Sequence, residues 1–286
     1  MQIAVFGDVH GNIHALKSVL EDIESYSPDE IVCTGDLLTP YPGGKEVWDL
    51  LTNNNIPITR GNVEDKSLYY LLNKNKSEIH TSIRYKPWKN VLQSFSSTII
   101  DELRNLPFTY SIEGPQDKKV LICHGTPLNN RDYLFNFIGN PQFHDFEEKG
   151  VNVIVAGHTH QYHHIQHKYV LLATAGAAGL SYNGSPIVEY LILEFKDNKW
   201  IPIQKKVNYD SNLLVEEMLQ TDYLNKGSPL SWIYFDMILS HTNSIFDFLT
   251  NYCPNPLPNT EKEWKNLCQA YLKKNKRWEN IEKLFT

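Results

Sequence analysis

Apolar positions along the chain switch between two periods. Gln2–Phe6 reads as a short buried strand closed by Gly7-Asp8. Asn12 is a good helix N-cap, and Ala15, Leu16, Val19, Leu20 and Ile23 then recur at helical spacing until Ser27-Pro28 stops the run. Glu30–Cys33 is a second strand, again closed by a Gly-Asp, Gly35-Asp36. A helix over about 44–52 follows, and 56–59 leads into Gly61-Asn62. Polar residues therefore sit immediately after strand ends, where parallel α/β sheets present their ligand-binding loops.

The region from about 65 to 105 is mostly helical in character, with apolar spacing over 68–72 and 91–103. Strands dominate next. The runs 108–113 and 119–123 flank a hairpin signal, Gly-Pro-Gln-Asp, and 151–156 is a buried run before Gly157-His158-Thr159-His160. Runs at 169–174, 187–195 and 200–207 complete the set, the last two joined by the turn 196–199. A β-rich half after an αβαβ half predicts an α/β fold, a four-layer α/β/β/α sandwich of two mixed sheets flanked by helices. From 209 onward the pattern changes to amphipathic helices: Leu214, Val215, Met218 and Leu219 mark one, and Trp264, Leu267, Cys268, Tyr271 and Leu272 another, with Thr260 and Glu263 as its capping box. The expected organisation is a domain over 1–208 and a helical C-terminal extension over 209–286 packed on it. The proline-bearing stretch 251–259 reads as a loop, and the run Lys273-Lys274-Asn275-Lys276-Arg277 as a solvated helix face.

Composition narrows the class. A chain of 286 residues, 41% hydrophobic and 21% charged, can bury a sizeable core, which excludes disorder, collagen and coiled coil. A formal charge of −6 gives no electrostatic footprint for long nucleic acid or an anionic membrane, so neither is expected as a partner. Cys33, Cys123, Cys253 and Cys268 form no Cys-x-x-Cys pair, and the first two end apolar runs as small hydrophobes. The start of the chain lacks a basic segment and cleavage site, and the apolar stretch near 169–180 is too short to span a bilayer. A reduced, cytoplasmic protein is the expectation.

Five short motifs lie at predicted strand ends: Gly7-Asp8-Val9-His10-Gly11-Asn12, Gly35-Asp36, Gly61-Asn62-Val63-Glu64, Cys123-His124-Gly125 and Gly157-His158-Thr159-His160. Each alone is an ordinary turn. Together they bring hard and borderline metal ligands to one sheet edge on Gly-flanked loops. This ordered set resembles the calcineurin-like metallophosphoesterase family over roughly 1–208, with the small bacterial and archaeal phosphodiesterase-like members most similar. The Gly-rich stretch Ala175-Gly176-Ala177-Ala178-Gly179 and the strand after it belong to the likeness.

Carried over position by position, the resemblance puts Asp8, His10 and His160 on one divalent metal ion and Asn62, His124 and His158 on a second, with Asp36 bridging both. A bridging carboxylate offsets the repulsion of two ions about 3.5–4 Å apart. The ligand types suit Mn²⁺, favoured here, and also Fe, Zn, Ni, Co or Mg. The catalytic candidates are Asp36, Asn62, His124 and Asn12, the last either binding phosphate or simply capping its helix. The expected reaction is phosphoester hydrolysis, in which water shared by the ions is activated near neutral pH and attacks phosphorus in line. Where the family carries Gly-Asn-His, this chain has Gly61-Asn62-Val63. Valine cannot protonate a leaving oxygen, help typically worth about 10²–10⁴-fold, so a phosphodiesterase acting on a nucleotide-like or other small phosphodiester is expected. His163 and His164 lie on a strand running away from the site. Arg131 and Tyr133, after His124, are candidates to clamp a phosphate and stack on a base, against an ordinary surface loop. Two readings stand beside this one: a phosphomonoesterase or dinucleoside polyphosphate hydrolase, and a non-catalytic scaffold of the kind that retromer's metallophosphoesterase-like subunit provides. The extension either caps the cleft, lets chains oligomerise, or covers apolar surface.

Overall fold

Alternate side chains of a strand point to opposite faces, and here both faces are apolar. The computed structural model describes residues 1–73, 76 and 86–285. In β1 (Gln2–Phe6), Ile3 and Val5 pack against the second sheet while Ala4 and Phe6 pack against helices. One sheet has the order β2–β1–β8–β9, with β2 (Glu30–Cys33) parallel to β1, and β8 (Ile187–Lys196) and β9 (Lys199–Asn208) forming an antiparallel hairpin. The other contains β3 (Thr109–Ile112), β4 (Lys119–Cys123), β5 (Val151–Ala156), β6 (Tyr162–His167) and β7 (Val170–Ala175), in the order β3–β4–β5–β7–β6. Both sheets mix parallel and antiparallel pairs, as the pattern predicts. Val5, Val32, Ile122, Val155 and Leu191 are among the residues that fill the space between them.

Helices cover the outer faces. Asn12 caps α1 (Ile13–Glu24), its Oδ1 accepting from the Ala15 N–H at 3.1 Å. With α2 (Gly44–Asn53), α3 (Asn62–Leu72), α4 (Lys86–Leu92) and α5 (Ser97–Asn105), α1 lies on the four-stranded sheet's side. The helical region expected over 65–105 shows α3, α4 and α5 among the described residues, and its residues 74, 75 and 77–85 lie outside them. The five-stranded sheet has a thinner cover: a 3₁₀ segment, Leu134–Gly139, and α6 (Phe143–Glu148) pack Leu134, Phe137 and Phe143 on Leu121, Ile154 and Leu172.

The C-terminal segment comprises α7 (Ser211–Gln220), α8 (Tyr223–Lys226), α9 (Leu230–Ser240), α10 (Ser244–Asp247), a π turn over Phe248–Tyr252, α11 (Glu261–Lys274) and α12 (Trp278–Glu282). Leu214, Met218, Ile233 and Phe235 share one apolar cluster with Ala15, Leu16 and Val19 of α1. The capping box predicted at Thr260 and Glu263 is present on α11. Arg277 departs from a solvated face. Its Nη1 donates to the buried Asp236 carboxylate at 2.9 Å and to the Thr242 and Ser244 hydroxyls at 2.8 Å each, pinning the end of α11 to α9. Among the described residues, no helix is long and apolar enough to cross a membrane.

Candidate metal centre

The ends of β1 and β2 lie in one sheet and those of β4 and β5 in the other, and the loops leaving all four converge. Asp8 follows β1, Asp36 follows β2, His124 follows β4, and His158 and His160 follow β5. Four of these side chains, and His10 two residues after Asp8, hang from left-handed backbone: Asp8 (φ 52°), His10 (φ 54°), Asp36 (φ 56°), His158 (φ 69°) and His160 (φ 57°). That conformation costs a non-glycine residue roughly 1–2 kcal/mol, and such residues gather at functional sites. Backbone hydrogen bonds hold the loops there: the Asp8 N–H donates to the Gly35 carbonyl at 3.0 Å, and the His10 N–H to that of Asp36 at 2.9 Å. Gly179 lets a further loop close in, since a Cβ there would stand 2.0 Å from the Val9 carbonyl oxygen.

Each of the four imidazoles is oriented by a backbone carbonyl. Nδ1 of His124 lies 2.8 Å from the Thr34 oxygen, Nδ1 of His160 2.6 Å from that of Leu180, and Nδ1 of His10 bonds that of Thr39. His158 is turned the other way, with Nε2 3.1 Å from the Arg131 carbonyl. A carbonyl only accepts, so that nitrogen carries the hydrogen, and in the neutral ring the other offers a lone pair, the tautomer a metal ligand needs. For His10 and His160 the two lone-pair nitrogens face one another at 3.2 Å, each also near Asp8 Oδ1, at 3.9 and 3.5 Å. Nε2 of His124 is 3.4 Å from Asp36 Oδ2, which in turn is 3.7 Å from His10.

Among the described residues, two groups of potential ligand atoms emerge, Asp8–His10–His160 and Asp8–Asp36–His124. Asp8 belongs to both, and Asp36 reaches toward both through His10 and His124. Asp8 Oδ1 and His124 Nε2 are buried without a hydrogen-bond partner. Buried lone pairs facing one another and an unsatisfied carboxylate oxygen are what a cation would relieve, so the donor set fits divalent ions. Electrostatics agree. Burial pushes the Asp8 carboxyl up to about 8 and the Glu64 carboxyl up to about 7. Burial also opposes ionisation of Asp36, but His124 beside it and its hydrogen bonds win and hold it well below the usual range. Burial pulls His124 down while Asp36 outweighs that, leaving it at about 9. His160 is lowered to about 3, first by burial and then by His10.

Glu64, quoted in a motif without a role, proves to be structural. Its carboxylate accepts the N–H groups of Asp36 and Leu37 at 2.8 Å and of Gly61 at 3.0 Å, tying the Asp36 loop to the start of α3. Val63 donates its N–H to Asp36 Oδ1 at 2.7 Å.

A cavity of ≈ 250 Å³ opens on this cluster, with His10, Asp36, Asn62, His158 and His160 on its wall. Asn12 is elsewhere. Its Oδ1 caps α1 and its Nδ2 donates to the Gly179 carbonyl at 2.9 Å, so of its two expected roles the structure shows the cap. Arg131 and Tyr133 do not line the cavity. The Arg131 guanidinium is half-exposed, 4.0 Å from Asp65, and reaches the site only through its carbonyl on His158; the exposed Tyr133 ring is 5.6 Å from the His158 ring. His163 and His164 are exposed on β6. The cavity instead takes Lys66, Trp88, Tyr182 and Tyr234, residues the motifs do not contain. Lys66 alone had a local signal, lying one turn after Val63 on the same helix face.

A model of the calcineurin-like phosphoesterase superfamily domain matches residues 1–198. An uncharacterized protein of Methanocaldococcus jannaschii is 28% identical over 163 residues, 55% of this chain and 62% of its own length. The chain thus spans somewhat under two thirds of that relative. Among solved structures, a metallophosphoesterase from Sphaerobacter thermophilus superposes with a TM-score of 0.61 at 21% identity, covering 78% of this chain and 95% of its own. A hypothetical protein of Pyrococcus horikoshii gives 0.59 at 16% identity, covering 84% and 97%. At these identities both show a shared fold.

Proposed function

Given that the chain belongs to the calcineurin-like phosphoesterase superfamily, we propose that it is a metal-dependent hydrolase of small phosphodiesters, nucleotide-like esters among them. Asp8, His10 and His160 would hold one divalent ion, and Asn62, His124 and His158 a second, with Asp36 between them. Manganese suits this mixture of imidazole and carboxylate. Bound there, such ions supply Lewis acidity and bring the pKa of water from 15.7 to roughly 7. The observation that carries the reading is the orientation of four imidazoles by four carbonyls, with His10, His124 and His160 turning their other nitrogen to the buried carboxylates.

The chain's own residues do the rest. The Val63 N–H and the carbonyls of Thr34, Thr39, Arg131 and Leu180 keep the ligands from turning, so no reorganisation accompanies the chemical step. Val63 presents only methyl groups to the cavity, so no proton is available from that position for a departing oxygen. Esters whose leaving group departs readily as an anion are therefore favoured, which supports diesters with an acidic alcohol or phenol over alkyl monoesters. Two metal equivalents by elemental analysis, with Mn²⁺-dependent hydrolysis of bis(p-nitrophenyl) phosphate exceeding that of p-nitrophenyl phosphate, is the expected result. Asp36→Asn should remove the activity. Absence of bound metal together with no Mn²⁺-dependent turnover would return the chain to a scaffold role.

A further inference from the structure

The cavity is lined by residues of two unlike kinds. Beside the ligand residues stand Lys66 of α3, Trp88 of α4, Tyr182 after β7 and Tyr234 of α9, a second, ring-bearing part of the wall. Four segments distant in the sequence thus deliver three rings and a cation to a space of ≈ 250 Å³. Packing alone would be served by aliphatic residues. Rings with polar tips beside a cation are the composition that takes up a flat π system attached to an anion.

The rings are held from behind. Tyr182 lies flat on His160, with centroids 4.2 Å apart and planes at 21°. One of its faces is therefore taken, and recognition falls mainly to Tyr234. Tyr41, fully buried, meets the Tyr234 ring edge-on at 6.0 Å and fixes its direction. Burial raises the Tyr234 phenol to about 12, so it stays neutral with an O–H to donate. Lys66 lines the same cavity as His10 and His158, so its cation shares the space in which a phosphate would rest. The volume lies just below the roughly 300–1,000 Å³ of sites for drug-sized ligands, room for one ring system and its phosphate.

We propose that this ring-bearing part of the wall is a subsite for the flat ring of a phosphoester carrying a single aromatic group, and that Tyr234, brought by the C-terminal helices, is a specificity-determining residue. The proposal rests on the phosphoesterase reading and adds the substrate's organic half. A nucleobase and a simple aryl group share this chemistry, and binding separates them.

Titration calorimetry on the full, Mn²⁺-loaded chain tests it with two pairs of product-like ligands: phenyl phosphate against methyl phosphate, and a nucleoside 5′-monophosphate against ribose 5-phosphate. The ring-bearing member of at least one pair should bind about 10-fold tighter, a gain typical of one stacked ring. The pair showing the larger ratio identifies the ring. Tyr234→Ala should bring the two affinities together and Tyr234→Phe should keep most of the difference. A separate Mn²⁺ titration of each variant verifies folding, and Trp88→Leu replaces Tyr234→Ala should the latter fail it. Equal affinities within both pairs, or a ring preference surviving both Tyr234→Ala and Trp88→Leu, would overturn the subsite while leaving the phosphoesterase reading intact. Failure of every phosphate to bind a protein that does take up Mn²⁺ would overturn both.

Discussion

Val63 and Asp8 show how much single side chains decide here. Val63 lies on the cavity wall with its backbone committed to Asp36, so its side chain can change without losing that hydrogen bond. Val63→His should therefore accelerate alkyl phosphodiesters relative to aryl ones, narrowing the gap between them by about 10²-fold or more in kcat; an unchanged ratio would show that no proton is lacking. The ionisable residues predict a second effect, in metal-free protein. Glu64 and Asp8 are pushed up to about 7 and about 8 by burial, and His124 to about 9, where Asp36 overcomes the opposing effect of burial. Folded protein then holds more protons than the unfolded chain between pH 7 and 9, so its stability falls as pH rises through that window. His10 and His160, both lowered by burial first, titrate below that window. The Tm of chelated protein should drop from pH 7 to pH 9 and that of Mn²⁺-loaded protein should drop less, because the cation takes the place of the protons. A rising Tm with chelator would contradict the picture. The identities of Asp8, His10, Asp36, His124, His158 and His160 were legible as motifs; the left-handed backbone of all but His124 was not, since Asp and His tolerate a positive φ more often than most residues but do not require it.

Among elements, the start of α3 bears the most. Glu64 satisfies three backbone N–H groups from two loops, one leading to Asp36 and the other to Asn62. Glu64→Ala leaves those donors without a partner at a site closed to solvent. It should cost about 3–5 kcal/mol in urea unfolding, where each unsatisfied donor is worth about 1–3 kcal/mol, and weaken Mn²⁺ binding alongside. A loss under about 1 kcal/mol would mean that the loops hold themselves. Strands and amphipathic helices were readable because burial on one or both faces imposes a period. α9 was not: Trp232, Ile233, Phe235, Met237 and Ile238 are buried around nearly its whole circumference, so no polar stripe marks it. Trp88 and Tyr234 escaped for a related reason. Each sits in a helix whose neighbours in sequence carry no chemistry, and only the folded chain brings them to the cavity.

At the scale of the molecule, the C-terminal helices and the sheets form one body. They share an apolar cluster with α1, and His14 of α1 meets Glu217 of α7 at 3.0 Å. Arg277 fastens the far end. Arg277→Ala strands the buried Asp236 carboxylate and should destabilise the whole protein by about 2–4 kcal/mol, whereas Lys273→Ala, on the exposed side of the same basic run, should stay within about 0.5 kcal/mol. Equal effects in thermal unfolding would reduce the Arg277 network to surface decoration. Charge spacing alone could not distinguish these two cations, because the partners of Arg277 lie more than thirty residues upstream. A final consequence comes from the two sheets that feed the ligand cluster. Asp8 and Asp36 ride on one and His124, His158 and His160 on the other, so an ion gripped by both sets is a clasp across the seam. A clasp cannot be fastened before its halves meet, and ion capture therefore belongs to the last moments of assembly. Divalent ions should slow the opening of the finished protein far more than they hasten its formation.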